Sequence, residues 1–187
     1  AGDNIIFHAE GGDVVLPLLR QQKDGEECLS LSDFVKPCGT DYVGAFAVTA
    51  GRGIKGIISG YQQTDDFKAL LYQSLSDRLA EAAAELLHAR VRREVWGYAP
   101  DERIDCQRAL RAQYRGIRPA AGYPSLPDQS AIFAIEKIVG FANVGIAVTP
   151  NGAMSPASSV SGLMIAHPAS RYFMIGAIAP DQRRDYA

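Results

Sequence analysis

Short runs of β-branched and other apolar residues mark the first quarter of the chain. Residues 4–8 and 14–19 are two such runs, and the flexible pair Gly11 and Gly12 lies between them. Apolar runs separated by a short glycine turn predict a β-hairpin. Residues 42–49 form a further run of this kind and predict a third strand.

A long helix is predicted from residue 65 to residue 95, with Thr64 as its N-terminal cap. At 100° per residue, five apolar positions fall within about 80° of one another, a stripe typical of a core-facing helix side. These positions are Leu71, Leu75, Leu79, Ala82 and Leu86. A second set of positions forms a charged stripe: Arg78, Glu81, Glu85, His88 and Arg92. We therefore expect the leucine side to be buried and the charged side to be solvated.

The second half of the chain mixes short helices, a proline-rich segment and strands. The predictions are a short helix at 106–114, a stiff extended segment at 118–127, a helix at 128–139, a hairpin of strands at 160–166 and 172–178, and a last helix from Pro180. Strands occur at both ends of the chain, and helices separate them without regular βαβ alternation. This order predicts an α+β fold with an antiparallel sheet.

Composition and charge exclude several classes of protein. The 187 residues contain 19 Lys and Arg and 21 Asp and Glu, a net charge of −2, which argues against nucleic acid or an anionic membrane as a partner. Apolar residues make up 47% and charged residues 21%, an ordinary globular mixture that excludes extended disorder. A chain of this length forms one compact domain without disulfide or metal support.

Cysteines and targeting signals point to a reducing compartment. Cys28, Cys38 and Cys106 are odd in number and have no metal-ligand spacing, so the sequence predicts neither a disulfide framework nor a metal site. There is no signal-peptide pattern and no apolar run approaching the roughly 18 residues of a membrane span. We expect a cytoplasmic chain.

A glycine-rich stretch after the third predicted strand has the spacing of a dinucleotide-binding fingerprint. Gly51, Gly53 and Gly56 spell G-x-G-x-x-G, but Gly60 and a polar run follow where a helix should open. The Walker form is excluded because Ile57, not lysine, follows Gly56. We therefore interpret this stretch as a flexible loop.

The segment 118–127 is the best candidate for a ligand site. Its prolines stiffen the backbone around Gly122, whose amides and carbonyls could then recognise the edge of a planar heterocycle. Arg118 offers a guanidinium fork for a carboxylate, and Tyr123 offers a ring. A surface connector explains the same composition equally well. Glu81, similarly, fits either a surface pair with Arg78 or a contact to a cationic ligand.

Several motifs together resemble the activation domain of cobalamin-dependent methionine synthase. The resemblance lies in D-R-L-A-E-A at 77–82, H-A-R-V-R-R at 88–93, W-G-Y at 96–98 and Y-R-G-I-R-P-A-A-G-Y-P at 114–124. Further matches are L-R-Q-Q at 19–22, L-S-D-F at 31–34, S-V-S-G at 159–162, H-P at 167–168 and S-R-Y at 170–172. The matches run in order over nearly the whole chain.

The resemblance implies a C-shaped α+β domain, with a twisted antiparallel sheet and a long central helix, that binds S-adenosylmethionine (AdoMet). In that family AdoMet methylates cob(II)alamin after one-electron reduction by a flavodoxin-type partner, and this reactivates the synthase. The cobalamin is held by a partner domain, so no catalytic side chain is expected here. The implied AdoMet contacts are Glu81, Arg118, Ala120, Gly122, Tyr123, Tyr172 and Phe173.

This chain departs from the family pattern in two ways. Ala121 replaces the second proline of the usual R-P-A-P-G-Y, and residues 149–151 differ from the family's Thr-Glu-Ser. We also expect residues 1–187 to lack the family's upstream arm, which carries an acidic AdoMet contact, and its C-terminal helical end. Two alternatives remain: a docking module for a corrinoid protein or flavodoxin, and an independent AdoMet-dependent methyltransferase. The second ranks lower because no side-chain base is apparent.

Overall fold

The computed structural model describes residues 3–9 and 11–186. Within them lie three two-stranded antiparallel sheets, which pair β1 with β2, β3 with β6 and β4 with β5. The strands are β1 (Ile5–Ala9), β2 (Gly12–Leu16), β3 (Gly44–Thr49), β4 (Ala147–Val148), β5 (Met154–Ser155) and β6 (Ser159–Met164). The first hairpin and the strand at 42–49 are thereby confirmed.

Five α-helices accompany these sheets in the described residues. They are α1 (Ile54–Tyr61), α2 (Asp66–Arg90), α3 (Cys106–Leu110), α4 (Ala131–Val139) and α5 (Pro180–Tyr186). A π-helical turn at Val91–Val95 continues α2, and 3-10 turns occupy Leu31–Phe34 and Phe141–Val144. This combination of one long helix with antiparallel strand pairs confirms the α+β prediction. None of the described helices is both long enough and apolar enough to cross a membrane.

The long helix is confirmed, but its cap and its buried side differ from the prediction. The carboxylate of Asp65, not the hydroxyl of Thr64, accepts a hydrogen bond from the Lys68 amide and caps the helix. The buried residues of α2 are Ala69, Ser76, Ala80, Ala84 and His88. The four leucines of the predicted stripe, Leu71, Leu75, Leu79 and Leu86, are 52–64% exposed, and Ala82 is exposed as well. The expected core-facing stripe was therefore wrong.

Small residues decide which side of α2 faces the sheet. Ala80 and Ala84 are 1% and 0% exposed and pack with Phe46, Val160 and Met164 of β3 and β6. Without larger side chains at these positions, the helix backbone can approach the strands closely. The leucines lie off this line of contact and so remain outside the core.

The hairpin predicted for residues 160–166 and 172–178 is wrong. β6 pairs instead with β3, from Gly44 opposite Met164 to Thr49 opposite Ser159. Its other side receives residues 117–120 through two isolated bridges, Ile117 with Ile165 and Ala120 with Gly162. A Cβ atom at Gly162 would lie 2.2 Å from the Pro119 carbonyl oxygen, so only glycine permits this approach. β6 therefore anchors the backbone of the candidate segment.

The glycine-rich stretch is not entirely a loop. α1 begins at Ile54, directly after Gly53, which has a φ of +79°. The flexible-loop interpretation of residues 51–56 was therefore wrong for residues 54–56, which belong to α1. The preceding strand β3 is antiparallel to its neighbour, whereas a dinucleotide fingerprint belongs to a parallel βαβ unit. The stretch is a helix start without the surroundings of a nucleotide fold.

The main core lies between the first hairpin, α4 and β6. Its largest fully buried apolar side chains are Phe141, Leu16, Leu31, Ile132, Ile135, Leu163 and Ile165. The α4 helix lies within the predicted range 128–139 and ends at Gly140, whose φ of +69° gives the expected left-handed stop. The start of α5 at Pro180 is likewise confirmed.

Candidate functional site

Three parts of the chain bring most of the predicted ligand-contacting residues together. The α2 helix supplies Glu81, and the phenol of Tyr123 donates a hydrogen bond to its Oε1. The amide of Arg118 donates a 2.9 Å hydrogen bond to the hydroxyl of Tyr172, which extends from the last non-helical segment. Glu81 is thus bonded to the candidate segment, and the surface pair with Arg78 is not formed.

The guanidinium of Arg118 is held along one edge. Its Nε and Nη2 lie 3.4 and 3.1 Å from Oε2 of Glu85, one helical turn beyond Glu81. Tyr114 donates to the same Glu85 oxygen at 3.2 Å. The Nη1 atom forms no hydrogen bond within the described part of the chain. The Arg118 side chain is only 16% exposed, so the free edge of its guanidinium lies in a sheltered position.

The backbone from Ala120 to Tyr123 forms a tight turn along β6. The amides of Ala121, Gly122 and Tyr123 donate to Ser161, Leu126 and Ala120 oxygens, respectively, at 2.9–3.2 Å. In contrast, the carbonyls of Ala121 and Gly122 accept no hydrogen bond from any described residue. Gly122 has a φ of +83°, a left-handed conformation that residues with a Cβ atom rarely adopt. The turn thus requires glycine and leaves two carbonyls available to a ligand.

The structure does not bring the Phe173 side chain to this site. Its ring packs toward the core and lies 6.4 Å from the ring of Phe34, measured between centroids. Its amide donates to Ser125 Oγ at 3.1 Å, which fixes the backbone beside Tyr172. Adjacent residues in an extended segment point to opposite sides, and here Tyr172 takes the site side.

A group of mostly buried polar side chains supports the site, and most of its members were not predicted. Its members are Glu85, His88, Arg92, Tyr98, Glu102 and Tyr114. Arg92 is 1% exposed, and its Nε donates to Glu102 Oε2 at 2.6 Å. Its guanidinium carbon also lies 4.0 Å from the centroid of the Tyr114 ring. The helical spacing of Glu81, Glu85, His88 and Arg92 indicates that they share one side of the helix. The same spacing predicts a solvated face, and that prediction is wrong for His88 and Arg92.

Burial changes the protonation of this supporting group. His88 is 0% exposed, with Nε2 3.2 Å from the Tyr98 hydroxyl. Burial, together with the nearby Arg92 and Arg118 guanidiniums, lowers the pKa of His88 to about 3. The imidazole is therefore neutral at physiological pH. At the site itself, burial and the hydrogen bond to Glu81 raise the pKa of Tyr123 to about 12, so its phenol stays protonated.

An apolar groove lies elsewhere on the described surface. It has a volume of about 560 Å³ between β3 and the C-terminal end of α2, and its lining residues include Tyr42, Phe46, Val91 and Trp96. None of the lining residues carries a charge. Among residues 3–9 and 11–186, no three His, Cys, Asp or Glu side chains form a group that could hold a metal ion. The predicted contacts around Arg118 thus lie outside this groove.

The fold and the site define a mixed α+β domain in which a cation, a carboxylate and free backbone carbonyls converge beside one long helix. All 187 residues match the family described as "Vitamin B12 dependent methionine synthase, activation domain", and the chain belongs to that family. It is also similar to a solved structure described as the MetH reactivation domain bound to AdoHcy, with 38% identity and a TM-score of 0.92. That match covers 100% of this chain and 61% of the solved chain.

Proposed function

We propose that this chain binds AdoMet and presents its methyl group to a cobalamin cofactor held by a partner domain. The observation that carries the proposal is that the Arg118 guanidinium, bonded to Glu85 along one edge only, and the Glu81 carboxylate, bonded to Tyr123, both lie beside the turn 120–123. The solved relative is described as binding AdoHcy, the demethylated form of AdoMet. The family membership and this geometry support the same ligand.

The charged groups of AdoMet match the charges of the site. The free edge of the Arg118 guanidinium suits the ligand carboxylate, because parallel N–H donors match its two oxygens. Only one oxygen of Glu81 is taken by Tyr123, so the other is available to the cationic ammonium and sulfonium end of the ligand. This complementarity supports a role for Glu81 as a ligand contact rather than as a residue of the helix surface.

The backbone of the turn suits the adenosine part of the ligand. The unpaired carbonyls of Ala121 and Gly122 can accept from an exocyclic amine or a ribose hydroxyl, and Gly122 keeps this approach free of side chains. Ala120 and Tyr123 flank these carbonyls, and Tyr172 lies beside the Arg118 amide. Phe173 contributes through its backbone, which positions Tyr172, rather than through its ring.

The role proposed for the chain in methyl transfer is placement. The methyl acceptor is the cobalt of the partner's cofactor, which supplies the nucleophile after reduction by a flavodoxin-type donor. No side chain of this site needs to act as an acid or base. Holding the sulfonium at a fixed position converts the encounter with the acceptor into a reaction between oriented groups. The result is reactivation of cobalamin-dependent methionine synthase.

A docking module for a corrinoid protein or flavodoxin, without an AdoMet site, is the second candidate. It does not explain the convergence of Arg118, Glu81 and two unpaired carbonyls, and it finds no support in the AdoHcy of the solved relative. The AdoMet-binding proposal therefore accounts for more of the structure.

Calorimetric titration with AdoMet and AdoHcy tests the proposal. Saturable binding is expected for the wild-type chain, and Arg118→Ala should cost about 1.5–3 kcal/mol of binding free energy because charge-assisted hydrogen bonds are lost. Arg90→Ala, at a side chain 63% exposed, is the matched control and should bind as the wild type does. Absence of saturable heat, or unchanged affinity of Arg118→Ala, contradicts the proposed site.

A further inference from the structure

Glu85 is shared between the candidate site and the buried group behind it. Its Oε2 accepts from Arg118 and from the Tyr114 hydroxyl, at 3.1 and 3.2 Å. Its Oε1 is buried, lies 3.9 Å from Arg92 Nη1 and accepts no hydrogen bond within the described residues. One carboxylate thus lies between two guanidiniums on separate parts of the chain.

The charges of this group together with Arg118 balance without a ligand. Arg92 and Arg118 carry two positive charges, Glu85 and Glu102 two negative ones, and the buried His88 is neutral. Arg92 is fixed by its 2.6 Å bond to Glu102 and by the Tyr114 ring. Arg92 keeps Glu102 as its partner, so removing the charge of Glu85 would leave Arg118 without its carboxylate partner and still near the Arg92 cation. The charge balance therefore depends on Glu85.

We propose that Glu85 is a positioning residue for the ligand carboxylate and acts through Arg118. This inference rests on the proposed AdoMet site. Glu85 engages the Nε and Nη2 edge of Arg118, so the opposite edge points away from it and is ready for a second carboxylate. An arginine side chain is long and loses conformational entropy when it is fixed. Because Glu85 already fixes Arg118 in the free protein, ligand binding no longer has to supply that entropy cost.

Neighbouring contacts favour this role over a general packing role. Glu85 has no partner among the exposed charges of α2, and its hydrogen-bond donors within the described residues are Arg118 and Tyr114. Glu94, on the same helical stretch, pairs instead with the exposed Arg90 and Arg93. Glu85 therefore contacts Arg118, whereas Glu94 contacts only exposed arginines of its own helical stretch. A substitution of Glu94 is the matched control for a substitution of Glu85.

The first test compares two ligands in four variants. AdoHcy carries the carboxylate, whereas 5′-methylthioadenosine lacks both the carboxylate and the ammonium group. Glu85→Gln should weaken AdoHcy binding about tenfold and methylthioadenosine binding less than twofold, and Glu94→Gln should change neither. Combining Glu85→Gln with Arg118→Ala should add little to the effect of Arg118→Ala alone, because both act on one contact.

Equal weakening of both ligands, or additive effects in the double variant, would overturn the positioning role. Either result would make Glu85 a purely structural residue. Glu85→Asp keeps the charge and should recover part of the AdoHcy affinity lost in Glu85→Gln. A failure of this rescue argues against the proposed charge contact and therefore counts against the positioning role.

A ligand-free measurement separates this inference from the proposed function. The Arg118 Nε–H signal in ¹H–¹⁵N spectra should exchange slowly with water in the wild type and at least tenfold faster in Glu85→Gln, while Glu94→Gln leaves it unchanged. Unchanged exchange in Glu85→Gln overturns the inference even if AdoHcy binds. If the wild type binds no AdoHcy but the exchange difference is present, the proposed function fails and the contact between Glu85 and Arg118 stands without a ligand role.

Discussion

One face of α2 buries a histidine and an arginine in or beside its last turn, whereas a neighbouring face of the same helix leaves four leucines more than half exposed. His88 and its π-helical neighbour Arg92 are 0% and 1% exposed. Leu71, Leu75, Leu79 and Leu86 are 52–64% exposed. Hydrophobicity alone predicts the opposite arrangement, so the surroundings of the helix determine which side is buried.

The surroundings differ along the buried face. In its first part, small residues such as Ala80 and Ala84 contact the strands β3 and β6. In its last part, the contact partners are polar side chains from Tyr98, Glu102, Tyr114 and Arg118. Buried charges are stable only when they are paired and hydrogen-bonded, and this part of the molecule provides both. The polar face is thus the support of the candidate site.

The largest expected effect comes from removing the buried cation. Arg92→Met leaves Glu102, which is bonded to Arg92, and Glu85 facing no guanidinium on that side. The free energy of unfolding should fall by about 3–5 kcal/mol, as it does when one partner of a buried ion pair is lost. Urea unfolding followed by circular dichroism gives this value.

Arg90→Met is the matched control for that experiment. Arg90 belongs to the same helix end, but its side chain is 63% exposed and its partner Glu94 lies 3.3 Å away in solvent. The loss should stay below about 0.5 kcal/mol, because exposed pairs contribute little. Similar losses in the two variants would show that the difference in burial between Arg90 and Arg92 has no energetic consequence.

The second expected effect is a pH dependence that originates at His88. Its pKa is about 3 in the folded chain and 6.5 ordinarily, because burial and the adjacent guanidiniums disfavour the charged form. Below pH 6.5 the unfolded chain takes up a proton that the folded chain does not. The free energy of unfolding should therefore fall by about 1.4 kcal/mol for each pH unit from 6.5 toward 3, and His88 adds no slope above 6.5.

Urea unfolding of the wild type and His88→Gln at pH 7, 6 and 5 isolates this contribution. The variant lacks the titrating group, so the difference between the two proteins should shrink by roughly 2 kcal/mol between pH 7 and pH 5. A constant difference over this range would show that His88 takes up its proton in the folded state as readily as in the unfolded chain.

The sequence predicts the local elements well because their signals are local. The first hairpin, the length of α2 and the glycine stop of α4 each depend on residues within a few positions. The prediction of the second hairpin was wrong because strand pairing depends on residues that are distant in the sequence. β6 pairs with β3, which lies more than 100 residues earlier in the chain. The closeness of Gly162 to Pro119, which fixes residues 117–120 beside β6, is likewise invisible in a local pattern.

The candidate site was predicted from motifs, and its support was not. The R-P-A-A-G-Y run at 118–123 and the position of Glu81 in the family pattern predict the ligand side. Glu102 belongs to no such motif. Tyr114 begins the motif at 114–124 but has no expected role there, and Glu85, His88 and Arg92 fall on the helix side that the pattern predicts to be solvated. A helical projection shows that these residues share a side, but it does not show which side a distant polar segment will cover.

The smallest expected effect is that of substituting an exposed leucine of α2. It tests whether the leucine face contributes little to stability, in contrast to the buried face of the same helix. Leu75→Gln replaces an apolar side chain that is 52% exposed with a polar one of similar size. The free energy of unfolding should change by no more than about 0.5 kcal/mol. Ala84→Leu, on the buried face of the same helix, should instead cost about 1–3 kcal/mol by overpacking. Thermal and urea unfolding of both variants measure the contrast, and a loss above 1.5 kcal/mol for Leu75→Gln would mean that the leucine face is packed in solution.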